Sequence, residues 1–379
     1  VFAQKFEPAP YELTDGIFLI PQVKTSVRYD DNIYNDEFKG SSSSVFFINP
    51  SFSFGRNDGI NRYGGSYDFT AASYSYDAAD NYVEHRLALL AHTEYTAKHR
   101  TDFDIIFNNL HEDRGAGLTE YDATYFGEPL KYNEFTARGY YQFGGLTSIM
   151  RIGAGIAYNS KRYRNFFEQT KYSDYDALKF FTDADYKWGH VTFLTFDLYT
   201  NDIQYNHLKN SNNSRDNRDS GALVGVRWEG LGKTTGTLKV GYQYKTFASD
   251  ERENFSGNTV DFGLTWKPLA HSSFTGHLSR VAEDSNTVGD YIETFGASIS
   301  WKHHWSDRFS SNVQYAYTNQ DYIGVTRQDD TNNASLRLNY ALTRWFEVTT
   351  GYEYTVKDSN ARNISYDKNA FNLGIVVSL

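Results

Sequence analysis

The residues able to do chemistry in this chain come at alternate positions rather than in a compact motif. Cations stand at Lys24, Arg28, Arg86, Arg138, Arg151, Lys179, Arg227, Lys239, Lys245 and Arg337. Carboxylates stand at Asp183, Asp185, Asp197 and Asp261, and phenols at Tyr140 and Tyr199. Most of them have apolar or small neighbours on both sides, so each falls on a polar face set against a greasy one. Groups spread along such a face can pair with one another, hydrate a channel, and hydrogen-bond or stack against sugars. They do not place a nucleophile, a base and an orienting acid together. No GxSxG, HExxH or P-loop occurs. His303 and His304 are adjacent, so on a strand they point to opposite faces and do not share a metal. The acidic stretches at 211–220 and 328–330 lack the Gly and Glu of an EF-hand loop. There is no Cys, hence no disulfide framework and no thiolate metal or haem site. The expectation is a protein that is not an enzyme and needs neither cofactor nor metal.

The elements that must carry these residues have a period of two. Val23, Thr25, Val27 and Tyr29 alternate with Gln22, Lys24, Ser26 and Arg28, and Leu238, Val240, Tyr242 and Tyr244 with Lys239, Gly241, Gln243 and Lys245. The last stretch does the same: Phe371, Leu373, Ile375, Val377 and Leu379 alternate with residues that are mostly small or polar. A greasy-faced strand at the very end suits a barrel, in which the last strand closes on the first and leaves no edge. No run reaches the roughly 18 apolar residues of a membrane helix. Mean hydropathy is −0.62, yet aromatics make up 17% of the chain, with 31 Tyr and 28 Phe. That combination fits a wet interior with aromatic girdles. The fold predicted is all-β, a transmembrane antiparallel up-and-down barrel of about 18 strands, with 16 the other count considered. Residues 1–13, which carry Pro8 and Pro10, read as a periplasmic tail, and 14–379 as the barrel. Val1-Phe2-Ala3 fits the small-residue rule near a signal-peptide junction. A net charge of −10 argues against nucleic acid as a partner.

Connections alternate between short and long. Short turns are expected near Asn57-Asp58-Gly59, His99-Arg100, Gly144-Gly145, Gly189-His190, Gly230-Leu231-Gly232, Ala270-His271, Ser306-Asp307 and Thr343-Arg344. Longer polar loops fall at 30–44, 112–130, 165–176, 206–220 and 358–364, and shorter ones at 77–80, 250–256 and 326–330. This parity is that of a barrel with a periplasmic and an extracellular rim. The six Trp residues, Trp188, Trp228, Trp266, Trp301, Trp305 and Trp345, all sit beside short turns. Indole prefers the membrane–water interface, so they mark a periplasmic girdle and both termini are expected there. Pro21 and Pro50 each remove a ladder donor toward the periplasmic ends of the first two strands. The loops at 112–130 and 206–220 are candidates to fold inward and narrow the pore.

The first hairpin carries a more specific signal: Gly16-Ile17, then Pro21, then Tyr29-Asp30-Asp31-Asn32-Ile33-Tyr34. It resembles the opening of the putative β-barrel porin 2 family, a likeness extending over nearly the whole chain. The resemblance implies an outer-membrane barrel, embedded in lipid and lipopolysaccharide. It further implies a passive conduit for exopolysaccharide or capsular polysaccharide, working beside a periplasmic polysaccharide-export protein. It brings no catalytic residues. The alternative is a general or oligosaccharide-uptake porin, and a pore narrowed by an inward loop would favour that alternative.

Overall fold

In the computed structural model, which describes residues 6–14, 16–38, 40–209 and 213–378, the alternating segments are strands of 13 to 17 residues around a closed wall. Val1-Phe2-Ala3 and Leu379 lie outside the described residues. A short β1 (Tyr11–Thr14) precedes β2 (Ile17–Asp30), β3 (Ser43–Asn57), β4 (Arg62–Tyr74), β5 (Tyr82–Thr96), β6 (His99–Glu112), β7 (Leu130–Phe143), β8 (Met150–Tyr163) and β9 (Tyr175–Lys187). There follow β10 (Thr192–Tyr205), β11 (Asn217–Leu231), β12 (Thr234–Phe247), β13 (Phe255–Leu269), β14 (Ser272–Asp284) and β15 (Tyr291–His304). The chain finishes with β16 (Phe309–Ile323), β17 (Arg327–Thr343), β18 (Phe346–Ser359) and β19 (Tyr366–Ser378).

From β2 onward each strand pairs antiparallel with the next, and β19 closes on β2 from Ala370↔Asp30 to Ser378↔Gln22. The barrel thus has 18 strands, as the sequence predicts. Strands about 4.8 Å apart and tilted by about 40° give a cylinder roughly 35 Å across between backbones, too wide for side chains alone to fill. The outward face is the greasy one: Val23, Val27, Phe46, Phe52, Leu87, Leu89, Phe103 and Ile105 are all exposed there. A soluble protein would bury such a band; here it faces lipid.

The N-terminal stretch is not wholly a tail. Tyr11 and Glu12 pair with Leu19 and Phe18 of β2, beyond the point where β19 stops. Pro21 sits at this change of partner, where β2 has left β19 and not yet met β1, and Ser378 Oγ donates to the Pro21 carbonyl at 2.9 Å. Pro50 interrupts the β3–β4 ladder without shifting it: pairing stops at Ile48↔Ala71 and resumes at Ser51↔Asp68. Between them Asn49 Nδ2 donates to Thr70 Oγ1 at 2.7 Å.

Short turns gather at one end and longer connections at the other, except that 144–149 at the turn end is as long as 285–290 opposite, and the β16–β17 connection at the long end is only 324–326. In the two-residue β11–β12 turn Gly232 and Lys233 both take positive φ, 57° and 66°, the pair that matches such a hairpin to strand twist. The long end carries one more connection than expected, residues 285–290, and Arg327–Asp330 belongs to β17 rather than to a loop. At the turn end Trp266 stacks on Phe274 at 5.4 Å and Phe274 on Trp301 at 6.0 Å, with Trp305 edge-on to Trp301. The indole N–H groups of Trp228, Trp301 and Trp305 donate to Thr234, Ser272 and Ser311. Trp188 and Trp345 are exposed beside their turns.

Candidate functional site

Strand parity puts the sequence-selected polar residues on the face opposite the exposed apolar band, toward the lumen, and their neighbours divide them into two walls. On β6 to β12 nearly every charge has a partner. Arg138 donates to Asp104 at 3.0 Å, and its guanidinium lies 5.2 Å from the ring centres of both Tyr140 and Phe181. Those two rings are parallel within 7°, and the Tyr140 hydroxyl donates to Asp183 at 3.0 Å. Asp185 accepts from Arg151 at 3.1 Å and Arg227 at 2.7 Å, and both guanidinium groups cover the Phe193 ring. Lys239 pairs with Asp197. Lys179 lies 4.7 Å over Tyr199, whose hydroxyl donates to Asp219. Further round, Asp261 is exposed and only loosely met by His277 at 3.9 Å, and Arg86 faces Asp68 across the β4–β5 ladder.

The wall of β16 to β19 and β2 is different. Lys24, Arg28 and Arg337 line one polar cleft with Asn312, Gln314 and Asn372. Arg28 reaches Asp30 at 3.3 Å. Among the described residues, Lys24 and Arg337 have no carboxylate within 4.0 Å, and they are near enough to repel each other.

At the mouth, residues 113–129 fold inward. Their start is seated on two other loops. Arg114 donates to Asp80 at 2.6 Å and to Asp77 at 2.8 Å, and the Tyr34 hydroxyl donates to Asp80 at 2.8 Å. Burial and the Asp80 hydrogen bond push the Tyr34 phenol up, and Asp80 raises Arg114, so both stay protonated. The Asp77 carboxyl is held below the usual range by the Ala79 N–H and by Arg114. Gly115 has φ +80°, and a Cβ there would stand 1.7 Å from the Tyr34 carbonyl oxygen, so only glycine fits. The middle of the loop reaches β17, seven strands away by the shorter way round. There Arg327 donates to Glu120 at 2.5 and 3.0 Å and to the Tyr121 hydroxyl. Arg327 also binds Asp329, a fully buried carboxylate that Lys357 meets at 2.9 Å. The return leg is held by Phe126 packed with Leu130 and Tyr163.

A second inward element comes from β14 and β15. Pairing of β14 with β13 ends at Arg280, while β14 and β15 stay paired to Asp284↔Tyr291. The freed edge of β14 is met by a side chain: Gln243 Oε1 accepts from the Ala282 N–H and Gln243 Nε2 donates to the Ala282 carbonyl, both at 2.9 Å. The amide replaces the missing strand, because a buried backbone group needs a partner. Lys245 lies beneath, 1% exposed, bonded to Asp284 and Asn217. It is on the inner face as the sequence indicates, yet the hairpin cuts it off from pore water.

Sequence reading missed the partners that organise the mouth: Arg327, Glu120, Arg114, Asp80 and Gln243. Arg327 stood in an acidic stretch that looks like a solvated loop, and its role needs a partner 207 positions away. The Tyr29–Tyr34 motif does have a local role. Asn32 donates to the Asp36 and Asp367 carbonyls, and Asp31 accepts from Asn369 N and Nδ2 at 2.7 Å, so the motif ties the β2–β3 loop to β19 at the barrel seam.

The chain matches the family model described as Putative beta-barrel porin 2 over residues 10–379. No curated protein matches it in sequence. Among solved structures it is similar to OccK2 (OpdF) of Pseudomonas aeruginosa, at 9% identity, 95% of this chain and 98% of that one, TM-score 0.52. It is similar to a BenF-like porin of Pseudomonas fluorescens Pf-5, at 10% identity, 95% and 99% coverage, TM-score 0.51. A larger relative in shape is the FrpB iron transporter (F5-1 variant) of Neisseria meningitidis, at 12% identity and TM-score 0.51, where 91% of this chain covers 64% of that one. At such identities the likeness is one of fold.

Proposed function

The chain belongs to the Putative beta-barrel porin 2 family, an outer-membrane barrel family, and from that premise we propose a passive diffusion porin that admits small hydrophilic solutes, sugars foremost. The observation that carries this reading is the loop at 113–129 held across the mouth by the Arg327–Glu120 pair. With the hairpin above Lys245, it leaves a lumen lined by amides, phenols and charges but narrowed at its entrance. Such a lumen passes single sugars by exchanging their hydration for wall contacts, and turns longer ones away. A polysaccharide leaving the cell would have to break the seat at Arg114 and the latch at Arg327 and keep both open along its length. The same geometry that supports uptake therefore weighs against polymer export, which the family resemblance suggests. In this reading the Trp-bearing turn end and both chain ends face the periplasm.

Liposome swelling with sugars of increasing length tests the reading. Monosaccharides should enter fast, and entry should fall away before the hexasaccharide. Equal entry of all lengths, or periplasmic build-up of polysaccharide in a deletion strain reversed by complementation, would overturn it in favour of export.

A further inference from the structure

We propose that the β16–β19–β2 wall carries a binding subsite for a sugar carboxylate, such as a uronic acid, formed by Lys24, Arg337 and Arg28. It rests on the uptake reading only in taking the ligand to be a passing solute. The register lays out the site. Asn312, Arg337, Gly351, Asn372 and Arg28 pair in sequence across β16, β17, β18, β19 and β2. Gly351 at the centre has no side chain, so the floor is backbone and the cleft, about 510 Å³, opens between flanking cations. That volume is in the range of small-molecule sites.

Its charge is left unmatched. Of the acids lining it, Glu353 accepts from Asn333 at 2.8 Å and Glu347 lies in the field of Lys302. Asp30, at the upper edge, is shared by Arg28 and by Lys368 at 3.6 Å. Among the described residues Lys24 and Arg337 have no carboxylate within 4.0 Å, and they repel each other, which a bound anion would relieve. Two buried polar atoms in the same cleft also lack hydrogen-bond partners, the donor Arg28 Nε and the acceptor Asn372 Oδ1, and they are register neighbours. An unmet buried donor and acceptor are costly unless a ligand or water satisfies them. The ligand that fits has a carboxylate for the cations and hydroxyls for the amides. A neutral sugar leaves the cations unanswered; a simple inorganic anion leaves the amides unanswered. Binding must be weak enough for release, with a dissociation constant of about 1 mM.

The test is equilibrium titration of the detergent-solubilised barrel with glucuronate, glucose and a uronate tetrasaccharide. Glucuronate should bind at least about 10-fold more tightly than glucose, a gap that salt narrows. The double variant Lys24→Gln with Arg337→Gln should close it, while Arg337→Lys keeps most of it; heat-modifiable gel mobility shows whether each variant is folded. A tetrasaccharide binding more tightly than glucuronate assigns the site to chain fragments, and equal binding assigns it to monomers. Equal binding of glucuronate and glucose, or an undiminished gap in a folded double variant, overturns the subsite. Neutral-sugar swelling is read on the same preparation: entry of short sugars with no glucuronate preference fails the subsite alone, whereas failed entry with the preference intact fails the uptake reading alone.

Discussion

The two walls of the lumen use the same residue types to opposite ends. On β6 to β12 cations, carboxylates and phenols neutralise one another: Asp185 holds Arg151 and Arg227, Asp197 holds Lys239, and Asp183 takes the Tyr140 hydroxyl. On β16 to β19 with β2 the charges near the mouth are paired too, Asp329 with Arg327 and Lys357 and Asp30 with Arg28 and Lys368, but in the cleft below them glycine and amides stand between Lys24 and Arg337, which among the described residues have no carboxylate within 4.0 Å. The lesson is that inward charge alone does not make a binding surface. A matched wall is structural and hydrated, because its Coulomb energy is already satisfied; an unmatched wall stores unfavourable energy that a solute can relieve. The unmatched wall also ends, at the top of β17, in the residue that latches the mouth.

Four experiments would break or sharpen this contrast. The largest effect is expected at the latch. Arg327→Ala leaves Glu120 unpaired and strips Asp329 of its principal cation, weakening the docking of 113–129 by about 3–5 kcal/mol. Single-channel conductance should rise and tetrasaccharides should enter; unchanged conductance would mean the loop is held by its seat alone. Next comes Lys245→Met, which leaves the half-buried Asp284 carboxylate with only the Asn217 amide and the Tyr205 hydroxyl, at a cost of about 2–3 kcal/mol. Amide exchange across 281–291 should quicken while the turn end of the barrel stays protected. Smaller is the paired test of the walls themselves. Arg151→Gln, on the matched wall, should lower stability in urea unfolding from liposomes by about 1.5 kcal/mol, the low end for one hydrogen bond to a charged group, since Asp185 keeps Arg227. Arg337→Gln, on the unmatched wall, should stay within about 0.5 kcal/mol of wild type or gain slightly. Equal losses in both would erase the distinction.

The smallest effect is one of pH. The Asp77 carboxyl is depressed by the Ala79 N–H and Arg114. A depressed acid contributes stability that is present above its unfolded value and lost as pH falls through its folded one. The seat of the loop should therefore loosen only below the ordinary carboxylate range of about pH 4, seen as rising conductance at acid pH. Asp77→Asn should make this contribution independent of pH.

Much of the fold was legible because a barrel strand is a local pattern. The alternation around Lys24 or Lys239 fixes which face is greasy, and the same alternation in β19 gives it the outward face with which it pairs on β2. The Tyr29–Tyr34 motif was legible as a family mark, though its work at the seam depends on Asn369 and Asp367. The connection at 285–290 was missed although Asp284, Ser285, Asn286 and Gly289 are turn formers. The β14–β15 hairpin was missed for a better reason: only three-dimensional proximity sets the Gln243 amide against the Ala282 backbone.

By itself the sequence determined the strand period, the closed all-β wall, the side on which each charge would stand, and the family. Tertiary structure alone decided which charges were matched, which loop crossed the mouth and which lysine was sealed away. The division follows from range. Parity is set by residues two apart, whereas Arg327 finds Glu120 across 207 positions of chain, and whether Lys24 meets an acid depends on the register of strands from both ends of the sequence.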